Sequence, residues 1–282
     1  MYANKQVNCK YHFSSNVDYT VIYDEDYILK VDTGGFSISL YLNLKEKSDK
    51  IIICGPSAID SSSIKPPIFH RWSWAKKLPY STIIISDPTL ETGEFNVGWF
   101  LGNNESYHLP KVVNVIIKLI SQLSISRENT FFYGSSAGGF SSLMMAAFFR
   151  GSKAIVQNPQ IDVSKYHGDF FNDLVKNNYN GEPPNNECLN VISLYKKIRY
   201  IPDVYYIQNT YDTHHFDIHF KLFIDGISSL REEFKTNCNM FFDIYSNSNS
   251  GHNADSFDIA YSRINRAISY FENKLQLATS SG

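Results

Sequence analysis

The 282-residue chain has no polybasic run, no Cys-x-x-Cys pair and no long apolar stretch, and each absence removes a class of function. With a net charge of −2 and its Lys and Arg scattered, it offers no electrostatic track for nucleic acid, so no nucleic-acid partner is expected. Its four cysteines (Cys9, Cys54, Cys188, Cys238) are too dispersed for a disulfide framework or a zinc site and read as free thiols in a reducing compartment. No apolar run approaches the roughly 18 residues that a membrane span requires. The opening Met1-Tyr2-Ala3-Asn4-Lys5-Gln6-Val7-Asn8-Cys9 carries no apolar core of a signal peptide. A cytoplasmic protein with no metal centre and no required cofactor is the expectation.

What is present is the composition of one globular domain: 43% hydrophobic and 19% charged residues. Short runs rich in β-branched and aromatic residues alternate with helical patterns. Tyr19–Tyr23, Tyr27–Val31 and Phe36–Leu42 read as antiparallel strands with one wet face. Ile51–Cys54 and Thr82–Ile85 are continuous apolar runs of the kind buried in parallel sheets. Pro110–Ile125 has apolar residues at helical spacing with proline in the first turn. Further strands are expected at 129–133, 154–156, 203–207 and 240–245, and further helices at 140–149, 218–234 and from Phe257 onward. This rhythm predicts a mostly parallel sheet covered by helices on both faces. Residues 161–200 break the rhythm and read as a small cap or lid inserted into a single domain spanning 1–282; a passive surface insertion is the alternative.

The stretch Gly134-Ser135-Ser136-Ala137-Gly138 follows the strand-like Asn129–Tyr133 and precedes a helix. G-x-S-x-G in that setting is the nucleophile elbow, a sharp strand-to-helix turn that exposes a serine hydroxyl. A serine hydroxyl needs a base to take its proton and a third group to orient the base. Asp212 lies just past the strand 203–207, at the carboxyl end where open α/β sheets assemble their sites; as a turn aspartate it could equally cap the helix that follows. His252 follows the last strand, with Gly251 freeing its loop. Seven other histidines compete, and His214 and His215 stand close enough to Asp212 to support it or to meet substrate. Asp162 and Asp255 are the next acids in line. An oxyanion hole needs two backbone N–H donors. Ala137, directly after the nucleophile, supplies one, and Ser57 is expected to supply the other, since Pro56 in the loop after Ile51–Cys54 has no N–H.

In its elbow, its post-strand Asp212, its Gly251-His252 and its strand–helix order over roughly residues 36–275, the chain resembles the α/β-hydrolase superfamily. That resemblance implies Ser136 as nucleophile, His252 as general base and then acid, and Asp212 as orienting carboxylate. It implies acyl transfer to water or to an acceptor hydroxyl. The His-Gly-Gly-Gly oxyanion motif of many lipases is replaced here by Cys54-Gly55-Pro56-Ser57, which argues against a lipase. The Gly-Ser-Ser-Ala-Gly-Gly-Phe elbow with tyrosine before it is similar to those of hydrolase-fold proteins associated with bacterial surface-polysaccharide synthesis. Loops 69–74 and 98–103 mix aromatic and polar residues that would suit sugar rings, although core packing accounts for such loops equally well. The expectation is therefore an esterase or O-acetyltransferase acting on a glycan or small polar ester, with acetyl-CoA as acyl donor if a transferase. A catalytically silent scaffold in a glycan-assembly complex is the alternative.

Overall fold

The computed structural model describes residues 5–10, 19–235 and 238–280. Nine strands among them form one sheet: Lys5–Lys10 (β1), Asp26–Asp32 (β2), Ser37–Asn43 (β3), Ile51–Cys54 (β4), Ser81–Ile85 (β5), Thr130–Ser135 (β6), Lys153–Gln157 (β7), Asp203–Asn209 (β8) and Met240–Tyr245 (β9). Their order is β1-β2-β3-β5-β4-β6-β7-β8-β9. From β5 to β9 all neighbours are parallel, and β3 is antiparallel to both β5 and β2. The helices are His108–Ile120 (α1), Ala137–Phe148 (α2), Phe170–Asn178 (α3), Asn186–Leu189 (α4), Val191–Ile198 (α5), Lys221–Phe234 (α6) and Phe257–Ser280 (α7).

The apolar runs behave as their pattern predicts. β4, β5, β6 and β7 are buried along their whole length because helices cover both faces of the sheet. α1, α2, α5 and α6 pack on one face through residues such as Ile116, Phe140, Tyr195 and Phe223. On the other face, Ala260, Ile264, Ile268 and Phe271 of α7 pack against Tyr133, Ile155 and Tyr205. Only β2 shows the alternation of a half-wet strand; β3 is buried almost throughout.

Two expectations for the N-terminal region are corrected. Tyr19–Tyr23 forms no strand, and among the described residues the first strand is β1, which pairs parallel to β2. With β1 and β3 on its two sides, β2 has no free edge for a further neighbour. Segment 161–200 is not irregular: it holds a short helical turn, α3, α4 and α5, and it is tied to the body by Tyr179 Oη donating to the Leu101 carbonyl at 2.6 Å.

Because β4 and β6 to β9 run parallel, the loops after them emerge along one rim of the sheet. That rim carries Gly55–Ser57, Ser136, the turn 158–162, Asp212 and His252.

Candidate active site

Ser136 sits between β6 and α2 with φ 54° and ψ −122°, a conformation that costs on the order of 1–3 kcal/mol and persists only where surroundings impose it. They do: its N–H donates to the Gln157 carbonyl at 3.1 Å, and its own carbonyl accepts from Gln160 and Phe140. The glycines are sterically required. A Cβ at Gly134 would stand 2.1 Å from the Gly138 carbonyl oxygen, and one at Gly139 would stand 2.6 Å from Pro159 Cβ.

The three residues singled out from the sequence meet at this rim. His252 Nε2 lies 3.0 Å from Ser136 Oγ, and His252 Nδ1 lies 2.5 Å from Asp212 Oδ2. Asp212 is buried, whereas the His252 side chain is 40% exposed, so the ring spans from the interior to the solvent side of the rim. Asp162 caps the turn after it through Ser164, and Asp255 pairs with Arg263 at 2.8 Å, so both alternative acids are engaged elsewhere.

Asp212 has a second histidine. Its Oδ1 lies 3.0 Å from His215 Nδ1, and the His215 backbone N–H also approaches Oδ1, at 3.4 Å. The helix-capping geometry open to Asp212 from its sequence position is thus present alongside its contact with His252. The His215 ring stacks on His252 with centroids 4.1 Å apart. Burial alone would raise the Asp212 carboxyl, but the bonds from His215 and His252 outweigh it and hold the group well below the ordinary carboxylate range. Burial pushes His215 down to about 4 despite Asp212, so at neutral pH its ring is uncharged and Nδ1–H is the donor. His219 beneath it is pushed down to about 3 by burial and then by His215, and its Nδ1 accepts from the Ile161 N–H at 3.2 Å. The ligand atoms of Asp212, His215 and His252 lie within 4.8 Å of one another, a spacing a metal ion would tolerate. Both Nδ1 atoms already face the carboxylate, and protons account for the arrangement without an ion.

Three contacts at the site were not legible in the sequence. Gln160, fully buried, has Nε2 3.4 Å from Ser136 Oγ. Its amide orientation is set by Trp99, whose indole N–H can only donate and meets Gln160 Oε1 at 2.6 Å. Asn209 donates through Nδ2 to the carbonyls of Asn247 and Gly251, at 2.8 and 2.9 Å, and so clamps the His252 loop to the end of β8. Arg71 donates to the Ser135 hydroxyl at 2.7 Å, next to the nucleophile.

The oxyanion expectations divide. Ala137 is the first residue of α2, so its N–H has no acceptor within the helix and stands at the positive end of the helix dipole. The Ser57 N–H is not open in this arrangement. It donates to His70 Nδ1 at 3.0 Å, because burial pushes His70 down to about 4 and leaves that nitrogen a neutral acceptor. The Ser57 hydroxyl instead meets the Ser135 carbonyl at 3.0 Å. Of the aromatic loops, Phe69, Trp99 and Phe100 are core residues, which leaves Trp72 and Trp74 as the half-exposed rings.

No protein-family model matches the chain, and neither does any curated protein. Among solved structures, the capsule O-acetyltransferase of Neisseria meningitidis serogroup A aligns with TM-score 0.56 and 14% identity, over 93% of this chain and 98% of that one. A mutant of that enzyme in complex with CoA aligns with TM-score 0.55 and 14% identity, over 87% of this chain and 94% of the other. A sugar hydrolase from Lactococcus lactis aligns with TM-score 0.58 and 14% identity, over 88% and 98% of the two chains. An HSL-homolog esterase from a metagenome library aligns with TM-score 0.56 and 13% identity, over 87% and 86%. The chain has the α/β-hydrolase fold, as its elbow and strand order led one to expect.

Proposed function

We propose that this protein is a serine-dependent acyl-transfer enzyme acting on a carbohydrate or another small polar ester. The observation that carries the reading is the continuous relay from Ser136 Oγ to His252 Nε2 and from His252 Nδ1 to Asp212, at 3.0 and 2.5 Å. In this reading Ser136 Oγ attacks the acyl carbonyl while its proton passes to His252 Nε2. The tetrahedral oxyanion is met by the Ala137 N–H at the head of α2, with the Gln160 amide as a further donor beside the reacting oxygen. The intermediate then collapses, the C–O or C–S bond to the leaving group breaks, and His252 returns the proton to that group. The acceptor hydroxyl, of water or of a sugar, gives its proton to His252 as it attacks the acyl-Ser136 ester, and Ser136 is regenerated. Asp212, ionised throughout, orients the ring and stabilises its charged form.

The fold shared with a capsule O-acetyltransferase, and CoA bound to a mutant of it, support an acyl-CoA donor and a polysaccharide acceptor; the fold shared with an esterase supports hydrolysis. Segment 161–200 serves in this reading as a cap, since Tyr166 in its first turn packs edge-on against His215 and Trp99 beside the relay.

A fluorophosphonate probe tests the nucleophile: labelling of the wild type and none of Ser136→Ala is the expected result. Absence of labelling in both would favour the silent scaffold. Turnover of p-nitrophenyl acetate or acetyl-CoA, with and without a polysaccharide acceptor, divides the two chemistries. Transfer to sugar faster than release to water identifies the transferase.

A further inference from the structure

Arg71 lies beside the elbow that carries Ser136. It occupies a left-handed backbone position, φ 68°, which costs on the order of 1–3 kcal/mol for a residue with a side chain. From there its guanidinium reaches back across the elbow and donates to Ser135 Oγ at 2.7 Å. The charge lies over two aromatic rings, 5.3 Å from the Trp74 centroid and 5.5 Å from that of Tyr133. Among the described residues no carboxylate stands within 4.0 Å of it. Asp255, close enough to Tyr133 to act on the same phenol, is already paired with Arg263. His70, next to Arg71 in the chain, is held neutral by burial and then by the Arg71 charge itself, so it adds no second positive charge there.

A guanidinium has five N–H donors in a planar fork. One goes to Ser135, and none of the Arg71 nitrogens is among the buried atoms that lack a partner. The remaining donors have no partner among the described residues and keep contact with solvent, while Arg71 as a whole is half-buried. A partly buried charge with unspent donors, braced by rings and without a counter-ion, is arranged to receive one.

We propose that Arg71 forms an anion subsite beside the nucleophile, and that the substrate carries a carboxylate or phosphate group that docks on it. The fork matches either group bidentately. The rings of Trp74 and Tyr133 hold its plane, and the Ser135 hydroxyl sets its distance from residue 136. Docking there fixes the substrate relative to Ser136 Oγ before attack. This inference rests on Ser136 being the acylated residue.

The test compares esters that differ only in a remote charge: a p-nitrophenyl ester bearing a carboxylate, one bearing a phosphate monoester, and their neutral methyl-capped forms. Wild type is expected to show higher kcat/KM for at least one anionic ester. Arg71→Gln should collapse the anionic-to-neutral ratio by about 10- to 100-fold, the range of a hydrogen-bonded charge, and Arg71→Lys should recover part of it. The anion that loses its advantage names the group. A second measurement avoids turnover: methyl phosphate and monomethyl succinate titrated into Ser136→Ala should reveal one binder whose affinity falls with added salt and vanishes in Ser136→Ala/Arg71→Gln. An unchanged ratio in folded Arg71→Gln, or titrations with no binding or with equal binding in both backgrounds, overturns the subsite. Fluorophosphonate labelling of the wild type separates that failure from failure of the nucleophile reading, which would show as an unlabelled Ser136.

Discussion

Ser136 and His252 stand 3.0 Å apart and are held by opposite means. The elbow around Ser136 is buried, strained and over-determined. Three backbone bonds pin the residue, and Gly134 and Gly139 bring neighbouring backbone and Pro159 closer than side chains would allow. The loop of His252 lies on the exposed side of the rim, with Gly251 in open space. It is secured by side chains: Asn209 grips its carbonyls, Asp212 holds the ring by an edge, and His215 lies flat against it. The difference teaches that the attacking atom is placed by backbone packing, whereas the base is placed by a polar network that can fail without the fold failing.

That contrast can be broken most sharply at Asp212. Asp212→Asn keeps the shape and removes the charge, and should lower kcat by roughly 10⁴-fold with folding retained, the scale seen for triad aspartates in general. Steady-state kinetics beside a melting curve would check it; near-normal turnover would remove Asp212 from the relay. Next come the two glycines. Gly134→Ala drives a methyl to 2.1 Å from the Gly138 carbonyl and should cost on the order of 3 kcal/mol or more, read as loss of soluble, cooperatively melting protein. Gly251→Ala meets nothing within 4 Å and has only its φ of +48° to oppose it, so about 1–2 kcal/mol is expected in denaturant unfolding. Equal costs at the two sites would erase the distinction between backbone and side-chain placement.

A stability loss under mild acid is also expected. His215 and His219 are depressed to about 4 and about 3 in the folded protein, below the roughly 6.5 of a free histidine. Below that free value the unfolded chain gains protons that the folded site refuses. Their contribution is complete above pH ~6.5 and declines as pH falls towards 4. Asp212, held low by its two histidines, adds stability that is present above about pH 4 and is lost below it. Thermal midpoints should fall first between about pH 6.5 and 4, from the histidines, and again below about pH 4, from Asp212. His219→Phe should flatten the upper part of the curve, and an identical slope in that variant would mean the acid sensitivity lies elsewhere.

Much of the sheet was readable because a buried parallel strand needs a short apolar run, and Ile51–Cys54, Thr82–Ile85 and Ala154–Val156 are such runs and form the bodies of β4, β5 and β7. β1 was not readable. Lys5–Lys10 is polar, and its strand form comes from pairing along β2. The partner of the Ser57 N–H was not readable for a related reason. That its N–H was available followed from the loop, but that His70, 13 residues on, would take it did not.

What the sequence determined by itself was local: which residue is strained into the elbow, which acid and histidine follow strands, and the order of the layers. Each depends on spacing along the chain, on the size of a glycine and on the period of apolar residues. Only tertiary structure decided that His252 closes on Ser136, 116 residues away, that a second histidine shares Asp212, and that Arg71 reaches Ser135 across 64 residues. Those partnerships are set by how the sheet's rim gathers loops from distant strands, and hydrogen bonds made across such separations leave no periodicity in the sequence.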